Sequence, residues 1–292
     1  MKMTARAPVR VDLAGGWTDV HYFADREAGA VLNIAITRYV RGELARAARR
    51  FRVTYHTDIP PGAGLGASAA LNVVWLALVN AALGRQPPRE ELAEQAYRLE
   101  DLLRVTGGKQ DQYAAALGGI NLLRFQEGAV HVERLSLSDE TLRQLQKRLV
   151  LVYSGESRLS GDIHERVWKG YLSGEEKVAA ALRRLTAIAL EMREALVSGD
   201  LGSFGTLLGE NWRCQKDLHP SITNETVEGL FRAAKGAGAI SGKACGAGGG
   251  GCLLFWCEEG AASRVAGALR DVAPQVIDFA LDREGLVVSR EG

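Results

Sequence analysis

The sequence predicts an α+β fold, because helical and strand patterns alternate along the chain and several neighbouring strands must return antiparallel. Hydrophobic residues make up 47% of the chain, which is enough for a packed core and too many for a disordered protein. Glycine is the compositional outlier, with 34 among 292 residues and no collagen period. We therefore expect the glycines to serve local backbone conformations in loops that other residues disfavour. The length fits one large domain or two of about 150 residues.

The first half is rich in strand patterns. Partial apolar alternation predicts strands over residues 5–14, 31–40 and 51–55, and a hairpin of residues 120–125 and 129–135 that turns at Glu127-Gly128. Helical patterns occupy residues 67–83, 89–104 and 112–117. Gly84 and the Gly107-Gly108 pair end the first two of these helices.

The second half is dominated by helical patterns. After a strand at 149–153, helices are predicted over residues 162–171, 175–197, 201–217, 224–236 and 261–269. Strands are predicted at 239–244, 252–257, 276–281 and 285–289. We place a domain boundary within residues 154–160, which gives an N-terminal domain of residues 1–155 and a C-terminal domain of residues 156–292.

Charge composition excludes several classes of partner. The chain has 36 Lys and Arg against 35 Asp and Glu, so its formal net charge is +1. A near-neutral chain argues against a protein built to coat nucleic acid or an anionic membrane. A basic run at Arg46, Arg49, Arg50 and Arg52 lacks interleaved stacking aromatics. We interpret it as a solvated strand or turn.

Cysteine usage and hydropathy indicate the compartment. The four cysteines form no C-x-x-C pair, and so few in a chain of this length suit a reducing environment. The N-terminus has no apolar signal-peptide core. The most apolar stretch, residues 67–83, is shorter than about 20 residues and contains Asn72 and Asn80, which favours a buried helix over a membrane span. We expect a cytoplasmic protein with no membrane partner.

Three glycine-rich segments carry most of the functional signal. In the first, a strand leads into Gly15-Gly16 and then into Trp17, Thr18 and Asp19. An aromatic face beside a carboxylate and a hydroxyl suits a polyhydroxylated ligand. The alternative is an ordinary turn with an incidental aspartate, and the residues alone leave both open.

The second segment runs from Pro60 to Leu71 and opens a helix. Convergent backbone N–H groups at a helix N-terminus make a phosphate cradle, and Ser68 in the first turn can reach a phosphate or Mg²⁺. No lysine is present for a Walker A motif. The spacing Gly64-x-Gly66-x-x-Ala69 resembles a dinucleotide fingerprint weakly, so an NAD-dependent oxidoreductase is an alternative. A glycine-rich connection without a ligand is the other.

The third segment, residues 242–252, holds four consecutive glycines between apolar strands. This costs conformational entropy and indicates close approach of backbone to a ligand or another segment. Between the last two segments lie Glu100 and Asp111, which can converge across the Gly107-Gly108 loop, one on a metal and one on a substrate proton. For Asp111 alone, a helix N-cap is the competing interpretation.

The ordered set of three motifs resembles the GHMP kinase superfamily, which includes galactokinases, homoserine kinases and mevalonate kinases. Residues 60–70 resemble its phosphate-loop motif, with Ala67 in place of the first serine, and Gly246 to Gly251 resemble its C-terminal glycine motif. The motif from Arg10 to Asp19 resembles that of fucokinases and heptose 7-phosphate kinases, which phosphorylate an anomeric hydroxyl. Glu210-Asn211-Trp212 and residues 238–251 are closest to the heptose enzymes.

The resemblance implies a two-domain fold, with a ribosomal-protein-S5-like N-terminal domain, a ferredoxin-like C-terminal domain and ATP between them. It implies ATP- and Mg²⁺-dependent phosphorylation, best of D-glycero-D-manno-heptose 7-phosphate; an unphosphorylated sugar, a non-sugar GHMP substrate or a non-catalytic nucleotide sensor is the alternative. A homodimer is compatible with the sequence.

The same resemblance implies roles for individual residues. Asp111 corresponds to the catalytic aspartate and Arg10 to a basic residue beside it. The nucleotide phosphates would lie on Pro61, Gly62, Ala63, Gly64, Leu65, Gly66, Ala67 and Ser68. Ser68 and Glu100 correspond to Mg²⁺ positions. The substrate would contact Asp19, Trp17, Thr18, Gly246, Gly248 and Gly249.

A few polar residues beyond these motifs invite a role. His164, Arg158 and Lys169 lie on or near a predicted helix and could bind a phosphate carried by the sugar. Ordinary surface charge is the simpler interpretation of all three. Cys245 and Cys252 flank the glycine run, where we expect them to pack as small residues.

Overall fold

The structure is a computed structural model that describes residues 2–47, 50–104, 106–156 and 160–291. Its strands are β1 (Lys2–Ala14), β2 (Gly29–Ala47), β3 (Arg50–Thr57), β4 (Ile120–Gln126), β5 (Ala129–Arg134), β6 (Leu149–Tyr153), β7 (Ala239–Ala244), β8 (Cys252–Cys257), β9 (Gln275–Ile277) and β10 (Val287–Glu291). Its helices are α1 (His21–Ala24), α2 (Ala67–Ala82), α3 (Arg89–Leu102), α4 (Gln110–Leu117), α5 (Asp139–Arg148), α6 (Ser160–Leu172), α7 (Glu176–Ser198), α8 (Leu201–Leu218), α9 (Glu225–Gly236) and α10 (Ala262–Arg270). The predicted α+β class is confirmed.

The first sheet is antiparallel and has the order β10-β1-β2-β4-β5, with β3 also paired to β2. The long strand β2 pairs β4 through residues 29–34 and β3 through residues 40–47. Helices α2 and α4 pack on β1 and β2, while α3 packs on both of these helices. The apolar side chains between them form one core, which includes Val9, Leu32, Val73 and Leu122.

The second sheet has the order β7-β8-β6-β9 and is also antiparallel. Strand β8 is buried at every residue, as its unbroken apolar sequence Cys252–Cys257 requires. Helices α9 and α10 pack together beside this sheet, and α8 packs along β7. The long helix α7 contacts α8 on one side and β2 on the other, so it joins the second half of the chain to the first sheet.

The division between the sheets does not follow the predicted boundary at residues 155 and 156. Strand β6 precedes the boundary yet pairs with β8 and β9 in the second sheet. Strand β10 lies at the other end of the chain yet pairs with β1 in the first sheet. Each half of the chain therefore contributes a strand to the other half's sheet, and the domain boundary stays a prediction.

Most predicted elements are present with bounds within a few residues. Helix α5 was not predicted from the sequence, although Ser138 caps it by accepting a hydrogen bond from the Thr141 amide. The basic run lies on the β2–β3 hairpin, with an exposed Arg52, while Arg49 lies outside the described residues. None of the helices in the described ranges is long and apolar enough to span a bilayer.

Candidate active site

A cleft of about 260 Å³ is lined by residues from both halves of the chain. Its walls come from β1, the turn after β1, the loop before α2, the segment around the start of α4, helix α6 and the glycine turn after β7. The lining includes most of the residues that the sequence motifs singled out: Arg10, Trp17, Asp19, Gly62, Ala63, Gly64, Leu65, Gly66, Ala67, Ser68, Glu100, Asp111 and Gly246. Segments far apart in sequence thus meet at one place.

The loop of residues 62–66 ends at the N-terminus of α2. Gly62, Gly64 and Gly66 all have φ near +70°, a conformation that L side chains rarely adopt. Two loop carbonyls are bound by other segments, since Leu65 accepts from the Arg10 amide at 3.0 Å and Ala63 from the Cys252 amide at 2.8 Å. The first-turn amides of α2 receive no side-chain cap, which leaves them for an anionic ligand.

Arg10 is the central cation of the cleft. Its Nε donates to Asp111 Oδ1 at 2.7 Å, and its Nη1 donates to the carbonyl oxygens of Gly64 at 2.7 Å and Cys245 at 3.0 Å. Burial acts to lower the pKa of Arg10, but the carboxylates of Asp111 and Asp12 more than offset it and raise the pKa. Arg10 therefore stays charged and ties the phosphate-loop segment, Asp111 and the second glycine turn together.

Asp111 lies on the first turn of α4, directly against the loop. A Cβ at Gly66 would lie 3.0 Å from the Asp111 carboxyl carbon, so glycine relieves a tight contact at this close approach. The Asp111 side chain keeps 26% of its surface exposed toward the cleft, in contrast to the 6% of its partner Arg10. A carboxylate with one oxygen fixed and a free face is suited to accept a proton from a bound ligand.

Glu100 sits deeper, at the end of α3. Asn72 donates to its Oε1 at 2.9 Å, Gln112 donates to its Oε2 at 2.7 Å, and Ser68 also hydrogen-bonds to it. Burial, assisted by the nearby Asp111 charge, raises the pKa of Glu100 to about 7. Within the described ranges Glu100 has no Lys or Arg partner at ion-pair distance, so its charge is uncompensated by the protein.

Asp19 also lines the cleft and is almost fully buried. Its Oδ2 accepts the Gln110 amide at 3.0 Å, and any Cβ at Gly108 would overlap its carboxyl group. Burial raises the pKa of Asp19 to about 7, while the hydrogen bond from Gln110 opposes the shift. Gly108 therefore allows the segment before α4 to approach Asp19, whereas Gly107 faces open space.

Trp17 and His164 form the aromatic part of the cleft. Their rings lie 4.4 Å apart at 30°, and Trp17 takes φ +84°, unusual for a bulky residue. Burial lowers the pKa of His164 to about 4, so this ring is neutral at pH 7. Because Trp168 donates to its Nδ1 at 3.3 Å, the proton of the neutral ring belongs on Nε2. Arg158 lies outside the described residues, and Lys169 is exposed.

Four residues expected at the site lie elsewhere. Thr18 is fully buried, and its hydroxyl donates to the Gly15 carbonyl and accepts a hydrogen bond from the Ala30 amide, so it stabilises the turn. Pro61 is exposed and outside the cleft lining. Gly248 and Gly249 pack on Ile222, whose carbonyl accepts the Gly249 amide at 2.6 Å, whereas Gly246 and Ala247 reach the cleft.

Sequence reasoning missed the two amides that hold Glu100. Asn72 lies four residues after Ser68 and therefore on the same face of α2, which is a usable signal. Gln112 immediately follows Asp111, but nothing in its spacing points toward Glu100. It also missed the pairing of Asp12 with Lys243, because these residues are 231 positions apart.

A divalent cation fits the donor set at Ser68 and Glu100. A hydroxyl and a buried carboxylate are oxygen ligands of the kind Mg²⁺ prefers, and the carboxylate lacks a protein counter-charge in the described ranges. The cleft lining further contains Asp12, Asp19 and Asp111. Among described residues no cluster of three or more His, Cys, Asp and Glu side chains forms a ready metal cage, so the remaining ligands would be water and substrate oxygens.

Comparison with known proteins agrees with this geometry. Residues 31–119 match the model of the GHMP kinases N terminal domain, and residues 192–275 match that of the GHMP kinases C terminal domain. The chain is 30% identical to the D-glycero-alpha-D-manno-heptose 7-phosphate kinase of Campylobacter jejuni, over 96% of this chain and 97% of that protein.

One further relative and one solved structure are also similar to this chain. The bifunctional fucokinase/GDP-fucose pyrophosphorylase of Arabidopsis thaliana is 25% identical over 86% of this chain, which spans 29% of that protein. The crystal structure of a D-glycero-D-manno-heptose 1-phosphate kinase from Bacteroides thetaiotaomicron superposes with a TM-score of 0.82 at 24% identity, covering 99% of both chains. With the matched family models and a full-length relative at 30% identity, the chain belongs to the GHMP kinase family.

Proposed function

We propose that this protein is an ATP- and Mg²⁺-dependent sugar kinase that phosphorylates the anomeric hydroxyl of D-glycero-D-manno-heptose 7-phosphate. The observation that carries the proposal is the position of the Asp111 carboxylate. It is hydrogen-bonded to Arg10 and lies against Gly66 at the start of α2. A proton acceptor thus stands beside a cradle of backbone amides, which is the arrangement that phosphoryl transfer to a hydroxyl needs.

In the proposed reaction Asp111 accepts the proton of the sugar hydroxyl. The hydroxyl oxygen then bonds to the γ-phosphorus of ATP as the bond from that phosphorus to the bridging oxygen of ADP breaks. Arg10 orients the Asp111 carboxylate and offers positive charge to the transferring group. Catalysis of this kind depends mainly on positioning and electrostatics.

The phosphates of ATP are proposed to lie on the backbone amides between Gly62 and Ser68. Because four carboxylates line the cleft against one arginine, an anionic nucleotide needs added positive charge there. Mg²⁺ held by Ser68 and Glu100 would supply that charge to the β- and γ-phosphates. Gly246 would close the site from the second half of the chain.

The sugar is proposed to lie between Asp19 and the Trp17–His164 wall. Asp19 can accept or donate a hydrogen bond near neutral pH, because its pKa is about 7. The neutral His164 ring offers one N–H donor. The choice of a heptose 7-phosphate rests on the full-length relative that carries this activity in its name.

A second candidate is the same reaction on an unphosphorylated sugar. In the described part of the cleft lining, Arg10 is the single Lys or Arg, and it is already paired with Asp111. No unpaired cation of the described lining is therefore offered to a second phosphate on the sugar. The fucokinase relative is consistent with this alternative.

A coupled ADP-release assay with several sugars tests both candidate functions. Heptose 7-phosphate, fucose and galactose are each supplied with ATP and Mg²⁺, and phosphorus NMR locates the new phosphate. We expect turnover with heptose 7-phosphate and a phosphate on the anomeric oxygen. Turnover only with a free sugar supports the second candidate, while no sugar-dependent ADP release overturns both.

A further inference from the structure

A second buried ion pair joins Asp12, which lines the cleft, to Lys243, and neither residue has a part in the proposed chemistry. The Lys243 ammonium donates to Asp12 Oδ2 at 2.7 Å and to the Asp12 carbonyl oxygen at 2.8 Å. The exposed side-chain fractions are 0% for Lys243 and 4% for Asp12. Burying two charges this completely costs desolvation energy, and an apolar pair of the same volume is often as stable. Stability alone therefore does not account for the pair.

The Lys243–Asp12 pair and Arg10 make reciprocal contacts between strand β1 and the segment that contains β7. Arg10 and Asp12 are two residues apart on β1 and so share one face of the strand. Lys243 lies on β7, two residues before Cys245. Arg10 of β1 donates to the carbonyl of Cys245, which directly follows β7, while Lys243 of β7 donates to Asp12 of β1. Each of the two segments therefore supplies a cation to the other. Strands β1 and β7 belong to different sheets, and these contacts register them at the cleft.

We infer that the Lys243–Asp12 pair positions Arg10 for Asp111, and this inference rests on the proposed kinase function. The four side chains alternate in charge in the order Lys243, Asp12, Arg10, Asp111. Asp12 Oδ1 has no hydrogen-bond partner in the described structure, so it retains capacity to accept a further donor. With Lys243 removed, the Asp12 carboxylate competes with Asp111 for the guanidinium of Arg10.

Gly16 leaves the space that the Asp12 carboxylate occupies. A Cβ at Gly16 would overlap the Asp12 carboxyl group, so the turn after β1 is built around that carboxylate. Gly15, in the same turn, accommodates α8 through its amide, which donates to Asn211 at 3.0 Å.

The test is a set of kinetic variants in the full chain. Lys243→Met retains the length of the side chain and removes its charge. We expect a loss in kcat on the order of 100-fold, the scale set by misplacing a catalytic group by about 1 Å, with the KM for ATP within about twofold of wild type. Lys177→Met is the matched control, because it breaks an exposed lysine–aspartate pair to Asp217 and should leave kcat unchanged.

Variants in an Arg10→Met background distinguish action of Lys243 through Arg10 from a merely structural role of Lys243. If Lys243 acts through Arg10, then Arg10→Met/Lys243→Met turns over no more slowly than Arg10→Met, measured in a single turnover. Losses that multiply, or a Lys243→Met enzyme with wild-type kcat, overturn the inference. An inactive wild-type enzyme instead refutes the proposed function. If Lys243→Met does not fold, Asp12→Asn/Lys243→Met replaces it. Because no carboxylate then competes for Arg10, we expect its kcat to lie within a few-fold of wild type, and a loss near 100-fold overturns the inference.

Discussion

The guanidinium of Arg10 and the carboxylate of Asp111, 101 residues apart in sequence, are joined by a 2.7 Å hydrogen bond from Nε to Oδ1. The same guanidinium reaches the carbonyls of Gly64 and Cys245. One buried side chain therefore connects β1, the loop before α2, the start of α4 and the glycine turn after β7. The geometry of the whole cleft depends on this one cation.

Replacing the Asp111 carboxylate tests its role as proton acceptor. Asp111→Asn keeps the shape of the side chain and one hydrogen bond to Arg10, but it removes the base. We expect kcat to fall by about 10²- to 10⁴-fold, measured as sugar-dependent ADP release. Asp139→Asn, at an exposed position on α5, is the control and should be fully active. Unchanged turnover in Asp111→Asn would remove Asp111 as the base.

Removing the charge of Glu100 tests the proposed cation site. Glu100→Gln can keep hydrogen bonds to the neighbouring amides while it loses the uncompensated carboxylate. We expect the Mg²⁺ concentration for half-maximal activity to rise on the order of tenfold or more, and Ser68→Ala to shift it in the same direction. Glu91→Gln, exposed on the same helix, serves as the control. An unaltered Mg²⁺ titration in both variants contradicts the assignment.

The two high carboxyl pKa values predict how stability depends on pH in the ligand-free protein. The pKa of Asp19 rises from 3.8 to about 7 because of burial, so the folded state binds more protons than the unfolded chain across that window. The free energy of unfolding is therefore highest below the unfolded pKa and falls as the pH rises through the folded one, by up to about 1.4 kcal/mol per pH unit for one group.

Urea denaturation at a series of pH values between these limits measures this slope. In Asp19→Asn the free energy of unfolding should fall less steeply with pH, by up to the slope that one bound proton contributes. The contribution of Glu100 remains, because its pKa is also about 7. Asp25→Asn, exposed nearby, should keep the wild-type slope. A slope that does not change in Asp19→Asn shows that Asp19 is not the titrating group.

The contact between Gly66 and Asp111 yields a pair of matched variants. Gly66→Ala and Gly84→Ala both place a side chain at φ above +70°, which costs about 1–2 kcal/mol of stability in each case. Only Gly66→Ala puts its Cβ 3.0 Å from the Asp111 carboxyl group, whereas nothing lies within 4 Å at Gly84. We expect similar losses in thermal midpoint but a loss of kcat only in Gly66→Ala. Equal activity in the two variants would show that the close approach has no catalytic consequence.

Local pattern was sufficient for nearly all the elements. The period of apolar residues predicts β1, α2 and β8 within a few residues, because burial on one face or both faces is written into adjacent positions. Helix α5 was missed even though Ser138 provides a cap, since its polar sequence has little apolar periodicity. The exchange of strands β6 and β10 between the two halves was not predicted, because strand pairing between distant segments leaves no mark in local composition.

The candidate site divides in the same way. The glycine segments and the carboxylates beside them are visible in the sequence, because positive φ and close backbone approach favour glycine. Placement within the site is not visible there. Thr18 turned inward to hydrogen-bond Ala30, and Gly248 and Gly249 packed on Ile222, because neighbouring elements filled the space beside them.

The sequence by itself determined the fold class, the order of the elements, the phosphate-loop motif and the candidate base Asp111. Only the tertiary structure decided that Asn72 and Gln112 would hold Glu100 and that Lys243 would pair with Asp12. The physical reason is distance along the chain. Backbone propensity acts over a few residues, whereas a buried charge finds its partner only when packing brings remote strands together and excludes water from between them.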